Sequence, residues 1–139
     1  MSVIAIFSGQ FCSADAVIRD VIDSTGYRLV SDNQLVGSAA QTSDMPENKI
    51  WRAFSTKTSV FNKFTHERER SVAHLRLALA EQLAHSDRLL IVGYSGQLIP
   101  RDISHVLWVC LIADMKTRVA KVVQERKISE PEALKIVHH

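Results

Sequence analysis

Strand-like runs at residues 3–7, 27–30, 89–92 and 106–112 alternate with stretches whose apolar positions recur at a helical period. This alternation limits the fold more than any other feature of the chain. A run of four to eight apolar residues, bounded by glycine or serine, is the pattern of a strand buried on both faces. The first run stops at Ser8-Gly9. Ala14, Val17, Ile18, Val21 and Ile22 then keep helical spacing as far as Gly26, a residue suited to a left-handed C-cap. With residues 27–30 these elements read strand, loop, helix, strand, and a right-handed crossover is expected. Continued alternation predicts an α/β fold, a three-layer sandwich with a mainly parallel sheet.

Residues 31–59 carry weaker signals. Ala39-Ala40 closes a short helix, and residues 42–46 are turn-rich. Trp51, Phe54, Phe61 and Phe64 fall together, and core or cap packing is the simpler reading than a ligand groove. A long helix is predicted over residues 65–84, with Thr65 as N-cap and Glu67 and Glu69 in the first turn, where the dipole favours acids. Val72, Leu75, Leu79 and Leu83 form one apolar stripe on it, and Ala73, Leu77, Ala80 and Ala84 form another. A helix apolar on two sides meets more than one neighbour, either in the core or across a dimer seam. After the fourth strand, Met115, Val119, Val122 and Val123 mark a helix. Ser129-Glu130-Pro131-Glu132 is a capping-box pattern opening a last one, which carries Ala133, Ile136 and Val137.

At 139 residues the chain reads as one domain spanning 1–139. A net charge of +2 with no dense basic run argues against a nucleic-acid surface. The apolar runs fall far short of the roughly 20 residues that span a bilayer. No basic segment precedes the first run, so it does not read as a secretory leader, and a cytoplasmic location is expected. Cys12 and Cys110 have no metal-ligand spacing, and a structural disulfide is not expected there. Cys110, inside an apolar run, reads as a small core residue. His66, His74 and His85 miss i, i+4 spacing, and His138-His139 is no better as a zinc site; no metal is expected.

Open α/β sheets bind ligands outside the carboxyl ends of their strands. The first such loop runs from Ser8 to Ala16. A phosphate-binding loop needs glycines that let amides close on the anion, a lysine for the terminal phosphates and a Ser/Thr for magnesium. Only Gly9 is present here, and no Lys or Arg precedes Arg19. Asp15 puts a negative charge where a phosphate would sit. Ser8, Gly9, Gln10, Cys12 and Ser13 remain candidates for a small anion pocket at the start of the helix.

The opening VIAIFSGQFCSADAVIRDVIDSTGYRLVSDNQLV resembles the start of the cytidylate-kinase-like proteins of the P-loop nucleoside-monophosphate kinase group, with Thr25-Gly26-Tyr27 matching their LGY. The resemblance resumes at residues 89–134. There Gly93, Gly96, Arg101-Asp102-Ile103, Arg118, Glu125-Arg126 and Ser129 to Ala133 match a VGRGG element, an R-D-I and a final R…ER…S…EA pattern. The departures fall on the phosphate machinery. Cys12, Ala14 and Asp15 stand where the family has loop glycines, and Ala16 stands in place of its basic residue. Tyr94 and Ser95 occupy the place of the arginine between Gly93 and Gly96.

The resemblance implies a P-loop kinase-like fold, abbreviated at its C-terminal end. It also places Arg101, Arg118 and Arg126 near phosphates, although Arg118 and Arg126 read more simply as a solvated face paired with Asp114 and Glu125. Phosphoryl transfer rests on positioning and charge neutralisation, so the losses point away from catalysis. The expectation is a non-catalytic regulatory or signalling module, without cofactor, that senses a ligand or mediates protein contacts as the N-terminal module of a longer bacterial protein. A sheet short of its last strand needs cover from a fused domain, a protein partner or a second copy in a homodimer. The alternatives are a divergent nucleotide or nucleoside phosphotransferase using ATP and magnesium, and an oligomerisation domain built on helix 65–84.

Overall fold

β1 (Val3–Ser8) pairs on one side with β3 (Leu89–Val92) and on the other with β4 (Val106–Leu111), and β2 (Arg28–Ser31) adds to the far side of β3. All pairs are parallel, and the order is β2-β3-β1-β4. The structure is a computed structural model describing residues 2–55 and 62–138. β1 and β3 are the two central strands and bury residues on both faces of the sheet, which is why their sequences are nearly unbroken apolar runs. The connections leave these two strands in opposite directions, β1 toward β2 and β3 toward β4. Right-handed crossovers therefore put α1 (Ala14–Thr25) on one face and the β2–β3 connection on the other.

That second connection holds α2 (Asp32–Ser43), α3 (Glu47–Trp51), α4 (Asn62–Thr65) and α5 (Glu67–His85). Leu35, Val36 and Ala39 of α2, Ile50 of α3 and Leu75, Ala78 and Leu79 of α5 close the main core over Val3, Ala5, Val30, Leu89 and Ile91. Each fully buried leucine contributes about 1.5–3 kcal/mol by leaving water. Ile6 and Leu90, on the opposite side of the pleat, are buried as well. α1 keeps Ile18, Val21 and Ile22 half-buried and ends at Gly26, whose φ of 67° makes the left-handed cap and whose N–H donates to the Ile22 carbonyl at 2.8 Å. α6 (Met115–Arg126) and α7 (Glu130–His138) form a hairpin with its own small core of Val119, Val122, Ala133 and Val137, into which Phe11 reaches. Among the described residues no helix is long and apolar enough to cross a membrane.

The α/β class, the parallel sheet and the strand positions agree with the sequence reading to within a residue. Several local expectations do not. Thr65 closes α4, and the N-cap of α5 is His66 in the left-handed region; a short helix ahead of α5 took the chain past Thr65 before α5 began. The short helix ending at Ala39-Ala40 continues to Ser43, started by a reciprocal Ser31–Gln34 capping box. Cys110 is exposed rather than core, because β4 lies at the sheet edge. Phe64 is 83% exposed and leaves the aromatic group, while Phe61 lies outside the described residues. On α5, Leu75 and Leu79 are buried, but Ala73, Leu77, Ala80 and Ala84 face outward.

Candidate functional site

With β1 and β3 sending their connections opposite ways, the crevice outside their carboxyl ends is the place where an open sheet of this kind holds a ligand. Two segments form it, the Gly9–Ser13 loop after β1 and the Tyr94–Leu98 3₁₀ turn after β3.

The first loop is folded back and fastened. The Gly9 N–H donates to the Leu111 carbonyl at 3.1 Å, tying the loop to the end of β4. Phe11 and Ser13 both sit in the left-handed region, at φ 61° and 55°. For residues with a Cβ that conformation costs roughly 1–2 kcal/mol each. Burial of the Phe11 ring against α6 and α7 offsets its share. Ser13 is the N-cap of α1 but makes no side-chain cap bond. Arg118 Nε donates to the Gln10 carbonyl at 3.1 Å, and the Arg126 guanidinium lies 5.7 Å from the Phe11 ring centre. The Cys12 thiol also faces the Gln10 carbonyl, at 3.5 Å.

The sequence-predicted residues thus separate into two groups. Arg118 meets the first loop at the Gln10 carbonyl and Arg126 lies beside Phe11, while Ser8, Gly9, Cys12 and Ser13 follow the same strand end and loop. Arg101 goes elsewhere, 4.1 Å over the ring of Trp108. The ion pairing expected for α6 is also different. Asp114 caps the helix through the Thr117 N–H at 2.7 Å, Glu125 pairs with Lys121 at 3.3 Å, and Arg118 turns to the loop. Hydrogen bonds from Thr117, by side chain and then by backbone, hold the Asp114 carboxyl below its ordinary value.

The second segment is organised by Asp32, a residue the sequence reading did not single out. Its carboxylate accepts from the Tyr94 N–H at 3.0 Å, the Ser95 N–H at 2.9 Å and the Ser95 hydroxyl at 2.5 Å. Gly93 makes this approach possible. Its φ is 107°, and a Cβ there would stand 2.3 Å from Asp32 Oδ2. The two ends of β2 and β3 are therefore latched together by one carboxylate. Beside the latch runs a ladder of rings: Phe7 to Tyr94 at 5.6 Å, Tyr94 to Phe54 at 5.8 Å and Phe54 to Trp51 at 5.6 Å between centres. The sequence held one hint of this, Gly93 two residues ahead of Ser95 at the end of β3, but their partner lies more than sixty residues earlier.

Chemically, the crevice presents a carboxylate already occupied by three donors and arginines that hold the loop. Among the described residues, no three His, Cys, Asp or Glu side chains converge as metal ligands.

Comparison with known proteins gives four findings. The sequence profile of the cytidylate kinase-like family matches residues 3–139. A crystal structure of an uncharacterized protein from Eubacterium ventriosum ATCC 27560 superposes with a TM-score of 0.64 at 16% identity, covering 99% of this chain and 72% of that one. TT1252 from Thermus thermophilus gives a TM-score of 0.47 at 16% identity, covering 96% of this chain and 77% of its own. No match is found among curated proteins.

Proposed function

This chain belongs to the cytidylate kinase-like family, and from that premise we propose that it is a non-catalytic member, a regulatory or signalling module that senses a ligand or contacts a partner. One observation carries the reading. Arg118, the arginine best placed to neutralise a phosphate in the first loop, donates to the loop's own Gln10 carbonyl. A loop that cradles phosphate aims N–H groups at the anion and adds a lysine. This loop offers a carbonyl to its arginine, places Asp15 at the head of the helix and has Ala14 and Ala16 beside it. The loop sequence has no lysine and a single glycine to serve the positioning and charge neutralisation on which phosphoryl transfer depends, and this supports the reading.

The contact arm of the proposal is supported by the open side of β4. Leu107 is 60% exposed there and Ile112, just beyond the strand, is 84% exposed. An apolar edge strand of this kind calls for cover, from a fused domain, a protein partner or a second copy.

A coupled assay with ATP, CMP and magnesium tests the reading. No turnover above the protein-free rate is expected. Turnover that is lost in Arg118→Ala would overturn it and favour a divergent phosphotransferase. One observation does lean that way, since Arg118 and Arg126 both reach the loop as a phosphate-binding pair would.

A further inference from the structure

Between the Tyr94–Leu98 turn and the outer half of the sheet lies a cavity of about 260 Å³ that shares no residue with the Gly9–Ser13 loop. The pleat sets its floor. Ala5 and Phe7 of β1 stand opposite Trp108 and Cys110 of β4 in the parallel register, and all four line the space. Small residues keep it open. Ala5 is one, and Gly96 is another, where a Cβ would come within 3.5 Å of the Ala5 Cβ. β4 is an edge strand, and among the described residues no further strand closes the outer side.

One wall carries a charge. The Arg101 guanidinium stacks at 4.1 Å over Trp108, a cation–π contact that favours this placement of the side chain. Among the described residues that guanidinium pairs with no carboxylate, and no Asp or Glu lines the cavity. Its N–H fork is thus free for a carboxylate or phosphate oxygen pair. Gln97 supplies one further polar group, and the rest of the lining is mostly apolar. The volume of about 260 Å³ lies just below the usual range of ligand pockets, roughly 300–1,000 Å³. A ring or short chain bearing one anionic group fits that space; a nucleoside triphosphate does not.

We propose that this cavity binds a small organic anion, an apolar body ending in one carboxylate or phosphate monoester, with the oxyanion on Arg101 and the body over Ala5, Phe7 and Trp108. The site is separate from the phosphate loop, so it stands or falls independently of nucleotide turnover.

Trp51→Phe leaves Trp108 as the sole tryptophan and makes its fluorescence the probe. Benzoate and phenyl phosphate are titrated at constant ionic strength, with benzyl alcohol as the uncharged control. A saturable change with Kd of about 1 mM or tighter is expected for at least one anion, weakened roughly tenfold or more by Arg101→Gln. Saturation by one anion alone identifies whether carboxylate or phosphate is preferred. A second readout uses the Cys12→Ser protein, in which the bound anion slows disulfide-reagent labelling of Cys110. A response that stays linear to roughly 20 mM, far above the expected Kd, overturns the proposal. So does equal affinity for benzyl alcohol, or unchanged affinity in an Arg101→Gln protein that melts like its parent.

Discussion

Replacing Asp32 with alanine removes the acceptor for two amides and one hydroxyl at the turn after β3. Ser95 is completely buried, so its N–H and O–H lose a partner that water does not readily replace, whereas Tyr94 is 49% exposed and its amide is more easily resolvated. A hydrogen bond to a charged acceptor is worth about 1.5–3 kcal/mol, and a buried donor left unpaired costs about 1–3 kcal/mol. Counting the Ser95 pair as one coupled unit gives a destabilisation of about 3–5 kcal/mol. At roughly 3–5 °C per kcal/mol for a chain of this size, Tm should fall by about 10–20 °C. Asp32→Asn, which keeps one acceptor oxygen, should lose about half as much. The cleanest assay is a double-mutant cycle followed by thermal and urea melts. Gly93→Ala drives a Cβ to 2.3 Å from Asp32 Oδ2, so it should cost less in the Asp32→Ala background than in the parent, the remainder being backbone strain at φ 107°. A drop below about 3 °C for Asp32→Ala, or additive costs in the cycle, would refute the latch.

Other expectations follow from the same geometry. Leu75→Ala should cost about 2–5 kcal/mol, while Leu77→Ala, two residues along the same helix but 51% exposed, should stay within about 0.5 kcal/mol; a concentration-dependent loss for Leu77 would instead reveal a dimer seam. Asp114 has a lowered pKa in the folded chain, so its contribution is complete above the unfolded value near 4 and fades as pH falls through the folded one. The Tm gap between the parent and Asp114→Ala should therefore be widest at neutral pH and close in acid, and a constant gap down to pH near 2 would contradict this. Phe11→Ala should loosen the hairpin of α6 and α7, read as faster amide exchange there while α5 keeps its protection.

How much of this was legible beforehand depends on whether the governing contact was local. β1 and β3 announced themselves as apolar runs because both faces of the sheet are covered there, and Gly26 marked the end of α1 because only a residue without a Cβ takes φ 67° freely. The missing glycines and lysine of the first loop were legible because they are a property of nine consecutive residues. What the loop does instead was not readable. Arg118 reaches Gln10 across more than a hundred residues of chain, and the near neighbour Asp114 looked the better partner until the cap at Thr117 claimed it. Asp32 and Ser95 fail for the same reason, being unremarkable in sequence and joined only once β2 and β3 lie in register. Cys110 misled because an apolar run looks the same in a central and in an edge strand. The burial of one flank of β4 depends on what pairs with it, and that is not written in residues 106–111.

The central claim is that the strand-end loop no longer holds nucleotide phosphates, and calorimetric titration of the intact chain with ATP and with CMP, each with magnesium, tests it most directly. The account expects no saturable heat for either ligand. A Kd tighter than about 100 μM, or roughly −5.5 kcal/mol, that weakens tenfold in Arg118→Ala would contradict it, because Arg118 would then have left Gln10 for a phosphate.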